Sequence, residues 1–244
     1  MEITGNTILI TGGATGIGLA LAEVFITAGN TVIICGRKEN KLKQAKAKFS
    51  QIHTMVCDLS KEEERESLCA SIKNNFTNLN ILVNNAGIQN IIAFKKGTEE
   101  VPAIESEIAI NLVAPIYLSA CLVPFLFTKK EAAIINLSSS LGFVPKANKP
   151  VYCATKAAIH SFSLSLRHQL KDTSIKVFEV IPPMVDTGLV KKTTEETGQV
   201  FRGIKPPEVA RDVLTGLAND EYEIAIGKAR EVILGVRPKP EQAF

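Results

Sequence analysis

The chain is poor in the features that mark several broad classes of protein. Its five cysteines, Cys35, Cys57, Cys69, Cys121 and Cys153, are odd in number and widely scattered. No pair has metal-ligand spacing, which argues against a zinc motif and a disulfide framework. The thiols are expected to be reduced and buried in a cytoplasmic protein. Charge is nearly balanced, with 28 Lys and Arg against 25 Asp and Glu, a formal net charge of +3. So small an excess gives no basis for binding nucleic acid or a membrane surface. No basic segment followed by a long apolar one precedes Thr7-Ile8-Leu9-Ile10. Neither a secretory leader nor membrane insertion is therefore expected. Internal repeats, low-complexity tracts and linkers are also missing, and residues 1–244 read as one domain.

What is present is an ordinary globular balance, 45% hydrophobic and 22% charged residues over 244 positions, enough for one large domain with a buried core. Short apolar runs at Thr7–Thr11, Thr31–Cys35, His53–Cys57, Ile81–Asn84, Ala133–Leu137, Lys176–Ile181 and Glu223–Ile226 read as strands. Their nearly continuous apolar content suits parallel strands covered on both faces. Between them, Ile17–Ala28, Asn40–Phe49, Lys61–Phe76, Glu99–Phe127, Val151–Leu170 and Pro207–Ala218 read as helices. Strict alternation implies right-handed crossovers, and so an α/β fold with a three-layer, doubly wound parallel sheet of about seven strands. The polar stretch Thr187–Lys205 is long enough to be a substrate lid. Val236–Phe244, with Pro238 and Pro240, reads as an irregular tail.

The first strand runs into Thr11-Gly12-Gly13-Ala14-Thr15-Gly16-Ile17-Gly18, and a helix follows. Ligands of open α/β sheets sit at the carboxyl ends of the strands. Glycine permits a sharp turn and close approach to a phosphate, and the helix N-terminus offers N–H groups to the anion. A plain tight β–α turn is the alternative. The strand–turn–helix context favours a dinucleotide pyrophosphate.

The second strand ends in Cys35-Gly36-Arg37-Lys38, with no carboxylate before Glu39. An acidic residue here would bind a ribose 2′-hydroxyl and repel a 2′-phosphate. Arg37 instead presents a planar donor fork to a phosphate, which favours NADP, with NAD still possible. The later lysines, Lys41, Lys43, Lys46 and Lys48, read as a solvated helix face. Asp58, beside Leu59, either contacts an adenine amino group or caps the third helix, and both roles are compatible.

Tyr152 and Lys156 are four apart on a helix, so they share a face. A neighbouring ammonium would lower the phenol from its usual value near 10. Tyr152 would then exchange a proton with a substrate oxygen as hydride moves, while Lys156 also holds the nicotinamide ribose. A serine after the fifth strand would polarise the same oxygen, but Ser138-Ser139-Ser140 leaves open which one. Gln89 and Phe143 are candidates for the substrate pocket. His53, His160 and His168 read as packing or interface residues, as does Cys153.

Taken together, these motifs make the chain similar to the short-chain dehydrogenase/reductase superfamily over its whole length apart from the tail. The glycine turn matches at Thr11–Gly18, Asn-Asn-Ala-Gly at Asn84–Gly87, and Tyr-x-x-x-Lys at Tyr152–Lys156. The resemblance implies a Rossmann-type domain and a catalytic tetrad of Asn111, Ser139, Tyr152 and Lys156. The family's serine lies thirteen residues before the tyrosine, which selects Ser139. Asn111 would support a water-mediated proton relay. The cofactor would lie against Thr11, Gly12, Thr15, Gly16, Ile17, Gly18, Arg37, Asp58, Leu59, Asn85, Ala86, Gly87, Tyr152, Lys156, Pro182, Val185 and Thr187. Pro183 stands where the family has glycine, fixing φ and removing an N–H. Asn30–Arg37, Asn85–Gln89, Pro150–Ser161 and Pro182-Pro183 resemble the DltE-like oxidoreductases within that superfamily.

The resemblance implies hydride transfer between nicotinamide and a small-molecule alcohol or carbonyl, in a homodimer or homotetramer built on the helices Glu99–Phe127 and Val151–Leu170. A non-catalytic NADP(H) sensor is the alternative, against which an intact tetrad argues. An epimerase or dehydratase is a second alternative, and the short region after Thr187 argues against it.

Overall fold

Apolar residues at every position of a run leave neither face for water, and the computed structural model buries such runs in the middle of the molecule; His53–Val56, expected to be covered on both faces, is instead a largely exposed edge strand. The structure describes residues 1–189, 195, 198 and 202–236. The strands are β1 (Thr7–Thr11), β2 (Thr31–Gly36), β3 (His53–Val56), β4 (Leu79–Asn84), β5 (Ala132–Leu137), β6 (Ile175–Ile181) and β7 (Glu223–Ala225). They form one seven-stranded sheet in the order β3-β2-β1-β4-β5-β6-β7, and each pairing is parallel. The chain builds outward from β1 to β3, then returns to β4 on the other side of β1. That reversal opens a crevice beyond the carboxyl ends of β1 and β4.

Successive strand residues face opposite layers. Ile8, Ile10, Val32, Ile34, Val83 and Ile135 pack with Leu21 and Phe25 of α1 (Gly16–Thr27), Leu42 of α2 (Glu39–Lys48) and Val209 and Val213 of α7 (Pro206–Ala218). Leu9, Ile33, Leu82 and Ile134 face Leu68 and Ile72 of α3 (Glu62–Asn75), Leu118 and Leu122 of α5 (Ala114–Leu126) and Leu166 of α6 (Pro150–Gln169). These are the three expected layers of a single domain.

Two elements differ from the sequence reading. The single helix expected over Glu99–Phe127 is a 3-10 stretch Phe94–Glu100, α4 (Val101–Ile108), a π-helical turn Ala109–Val113, and α5. The combined run Phe94–Leu126 is long and apolar enough to cross a membrane. Leu118, Leu122 and Leu126 are nevertheless fully buried in the layer against the sheet, which is the packing of a core helix. The second difference is α8 (Lys228–Val236), which follows β7. It seats Ala229 and Ile233 against Ile181 and Phe143.

The expected lid has its base zipped by backbone. Val185 bridges Ile204, Asp186 N donates to Ile204 O at 2.8 Å, and Ile204 N donates to Met184 O at 3.0 Å. Most of the span between, including Lys191, Lys192 and Glu196, lies outside the described residues, as does the tail from 237 onward.

Candidate active site

A cleft of about 720 Å³ fills the crevice at the carboxyl edge of the sheet. Its floor is the glycine turn. Gly12 has φ +64°, and a Cβ there would lie 2.9 Å from Ala86 Cα, so only glycine lets the β1 and β4 loops close on each other. Gly16 has φ +57° and opens α1. Thr15 takes the N-cap position without capping through its side chain, leaving first-turn N–H groups of α1 to face an anion. Gly12, Thr15, Gly16 and Ile17 line the cleft.

Thr11 and Gly18 were expected against the cofactor, and the structure puts both behind the wall. Thr11 Oγ1 accepts from Asn85 N and Ala86 N, each at 3.0 Å, and donates to Val83 O. A Cβ on Gly18 would be 2.5 Å from Asn85 Nδ2. Asn85 does line the cleft, yet its amide donates to Thr11 O at 2.7 Å. These three residues shape the turn from beneath.

At one end of the cleft Arg37, Lys38 and Lys41 gather with Asp58 and Leu59. Lys41 borders the cleft while its ammonium stays exposed and donates to Gln44 Oε1 at 3.1 Å. Lys43 does point away, paired with Glu39 at 2.8 Å. Asp58 does not cap the third helix; Lys61 holds that position. Its carboxylate accepts from Ser60 N and Ser60 Oγ at 3.1 and 2.8 Å. Burial opposes its ionisation, but the Ser60 bonds and the Arg37 charge prevail and hold it below the usual carboxylate range.

At the other end, Tyr152 and Lys156 project from one face of α6, both buried and both on the cleft wall. Lys156 Nζ donates to Leu137 O at 2.7 Å and lies 5.7 Å from the Tyr152 ring centre. Ser139 lies behind the wall, where its hydroxyl hydrogen-bonds the phenol and accepts from Leu141 N at 3.1 Å. The expected acidic phenol is not found in this state. Burial pushes Tyr152 up to about 12, while the Ser139 bond pulls it down. The ammonium sits over the ring and bonds a carbonyl, so desolvation outweighs it. Burial likewise lowers Lys156 to about 8, against the opposing charges of Glu107 and Glu179.

Asn111 sits in the π turn, the kind of insertion that re-aims one side chain within a helix. Its Oδ1 accepts from Ile88 N and its Nδ2 donates to Ile88 O, both at 2.8 Å. It thereby clamps the loop after β4. A Cβ on Gly87 would lie 3.4 Å from Asn111 Oδ1 and 3.7 Å from Lys156 Nζ, so these groups converge on Gly87. Ala86, Gly87, Gln89, Pro182 and Thr187 line the cleft. Val185 does not; its side chain is buried in the core. Phe143 packs on His160, ring centres 4.5 Å apart, instead of lining the cleft.

Two groups went unread in the sequence, the fully buried carboxylates Glu107 and Glu179. Glu107 Oε1 accepts from Asn90 N at 3.3 Å, and Glu179 Oε2 meets His160 Nδ1 at 2.8 Å. The one signal available was a Glu inside the apolar run 177–181. His160, read as packing, is the partner of that carboxylate.

Comparison with known proteins agrees with this geometry. A family model described as short chain dehydrogenase matches residues 6–198. The chain is 52% identical over 224 residues to an uncharacterized oxidoreductase named DltE from Bacillus subtilis (strain 168), covering 92% of this chain and 89% of that one. A short-chain dehydrogenase from Sphingobium yanoikuyae in complex with NADPH superposes with a TM-score of 0.83 at 24% identity, covering 98% of each chain. A short chain dehydrogenase/reductase from Burkholderia phymatum in complex with NAD gives 0.85 at 18% identity, covering 96% of this chain and 92% of that one.

Proposed function

The chain belongs to the short-chain dehydrogenase family of oxidoreductases, and from that premise we propose that it is an NADP-preferring enzyme interconverting a small-molecule alcohol and its carbonyl in the cytoplasm, as a homodimer or homotetramer. The observation that carries the reading is the buried pair Tyr152 and Lys156 on the wall at one end of a cleft, with Ser139 buried directly behind it, and Arg37 and Lys38 lining the same cleft. The cleft fits a dinucleotide: a glycine turn that lets the β1 and β4 loops close on each other, a helix N-terminus for the pyrophosphate, and cations for a 2′-phosphate. When bound, the nicotinamide supplies the hydride.

This chain's own residues manage the proton. Tyr152, protonated through neutral pH, donates from its hydroxyl to the substrate oxygen. Ser139 hydrogen-bonds the same oxygen and holds the phenol in line. Lys156, cationic below about pH 8, steadies the developing negative charge and binds ribose hydroxyls. Asn111 keeps the loop Ala86–Ile88 in place and supports the relay that returns a proton to Tyr152. Thr187 and Pro182 border the nicotinamide end, and Val185 acts from behind through its backbone. The test is a panel of aldehydes, ketones and sugars offered with NADPH and NADH in parallel. The expected outcome is oxidation of NADPH with at least one carbonyl, faster than NADH at equal concentration. No turnover of any carbonyl, with NADPH bound, would leave the non-catalytic sensor as the reading.

A further inference from the structure

Glu179 lies on β6, opposite Asn136 of β5 in register, and is fully buried. A carboxylate there is costly unless both oxygens are used. Both are: Ser138 Oγ donates to Oε1, and Oε2 meets His160 Nδ1 at 2.8 Å. These partners belong to the two pieces of backbone that hold the chemistry. Ser138 adjoins Ser139. His160 lies four residues beyond Lys156 and eight beyond Tyr152 on α6, so all three share one helix face. The same loop touches the helix twice more. Phe143 packs on the His160 ring at a tilt of 56°, and Gly142 approaches so closely that a Cβ would be 2.9 Å from Ala157 N.

We propose that Glu179 is a positioning residue for the hydride site, a strap that ties the loop bearing Ser139 to the helix bearing Tyr152 through Ser138 and His160. Glu179 does not reach the cleft wall; it acts by fixing the separation of two hydroxyls that must meet one substrate oxygen. The inference rests on the hydride-transfer reading above. Its charge also opposes the loss of the Lys156 proton, which adds an electrostatic role to the geometric one.

Removing one partner of a buried polar pair costs stability, and the surroundings of Glu179 limit that cost. In a Glu179→Leu variant Ser138 Oγ keeps Val180 O within 3.4 Å, and the His160 side chain, 22% exposed, can turn to water. Misplacing a reacting group by about 1 Å costs on the order of a hundredfold in rate. Glu179→Leu is therefore expected to lower kcat by about that factor while the NADPH Kd changes by less than about twofold. Glu179→Gln, which keeps an acceptor for Ser138 and an amide facing His160, is expected to recover most of kcat. His160→Asn, whose amide nitrogen falls near Nδ1, is expected to outperform His160→Leu. Wild-type kcat in Glu179→Leu overturns the proposal, and so does an equal loss in the two His160 variants. If the wild-type protein turns over no carbonyl, the hydride reading fails and the strap is read without turnover. Crystal structures of wild-type and Glu179→Leu protein with NADPH then decide it: a Ser139 hydroxyl displaced from Tyr152 supports the strap, and an unmoved one overturns it.

Discussion

At the scale of single residues, the pair Tyr152 and Lys156 was legible because a helix of known period brings positions four apart together. Their protonation was not, because sequence displays a neighbouring charge but not the loss of water around it. The raised phenol and lowered amine assign the pH dependence. Tyr152 keeps its proton to about 12, whereas Lys156 loses its own from about 8 upward. For carbonyl reduction, kcat/KM should be flat below about pH 8 and fall above it, the fall belonging to the lysine. Lys156→Arg, whose guanidinium stays charged, should move that limb to higher pH, at a reduced rate. An unmoved limb assigns it to another group. Removing the phenol itself with Tyr152→Phe should cost about 10²–10⁴ in kcat and leave NADPH affinity within about twofold, by fluorescence titration. Near-normal turnover in that variant ends the proposed mechanism. Glu107 and Glu179 escaped the reading because a carboxylate declares its burial only once its partners are assembled from distant strands and helices.

Among elements, the strand–turn–helix units were read nearly to the residue, since continuous apolar runs and a glycine turn each have one physical interpretation in alternating order. The helix reading over Glu99–Phe127 failed in detail. Apolar periodicity continues through the π turn Ala109–Val113, and nothing local announces the extra residue. What the turn achieves is tertiary: it aims Asn111 at both backbone groups of Ile88. A net hydrogen bond contributes about 0.5–1.5 kcal/mol, so Asn111→Ala should cost about 1–3 kcal/mol of stability. The loss should be local first. The Ile88 amide should exchange its hydrogen at least about tenfold faster by mass spectrometry, while amides of β1 and β5 stay protected. Uniform acceleration across the sheet would assign Asn111 a global role and refute the clamp. Activity should fall with loop order, through a raised KM as the walls of the cleft loosen.

The whole molecule is a sheet whose strand order places its crevice between β1 and β4, and the ligand consequences follow from what sits at the two ends of that crevice. The doubly wound parallel class was legible because alternation and handedness leave few arrangements, but the strand order came from the structure. Sequence could not show that Lys41 borders the cleft with Arg37 and Lys38, since an exposed helix face and a cleft wall have the same composition. Three cations at one end make cofactor choice a property of the entire fold's stability. A ligand at a hundred times its Kd stabilises the native state by about 2.7 kcal/mol. In a domain of this size each kcal/mol raises Tm by about 2–4 °C, so saturating NADPH should raise it by about 5–11 °C. NADH lacks the 2′-phosphate, and a hydrogen bond to a charged group is worth about 1.5–3 kcal/mol. At the same concentration it should give half that shift or less. Arg37→Ala should shrink the NADPH shift toward the NADH value and leave the NADH shift unchanged, because the guanidinium has no phosphate to meet there. Scanning fluorimetry of the two proteins with both cofactors reads all four values. Equal shifts for NADPH and NADH in the wild-type protein would mean that the cationic end faces solvent and that the enzyme does not discriminate between them.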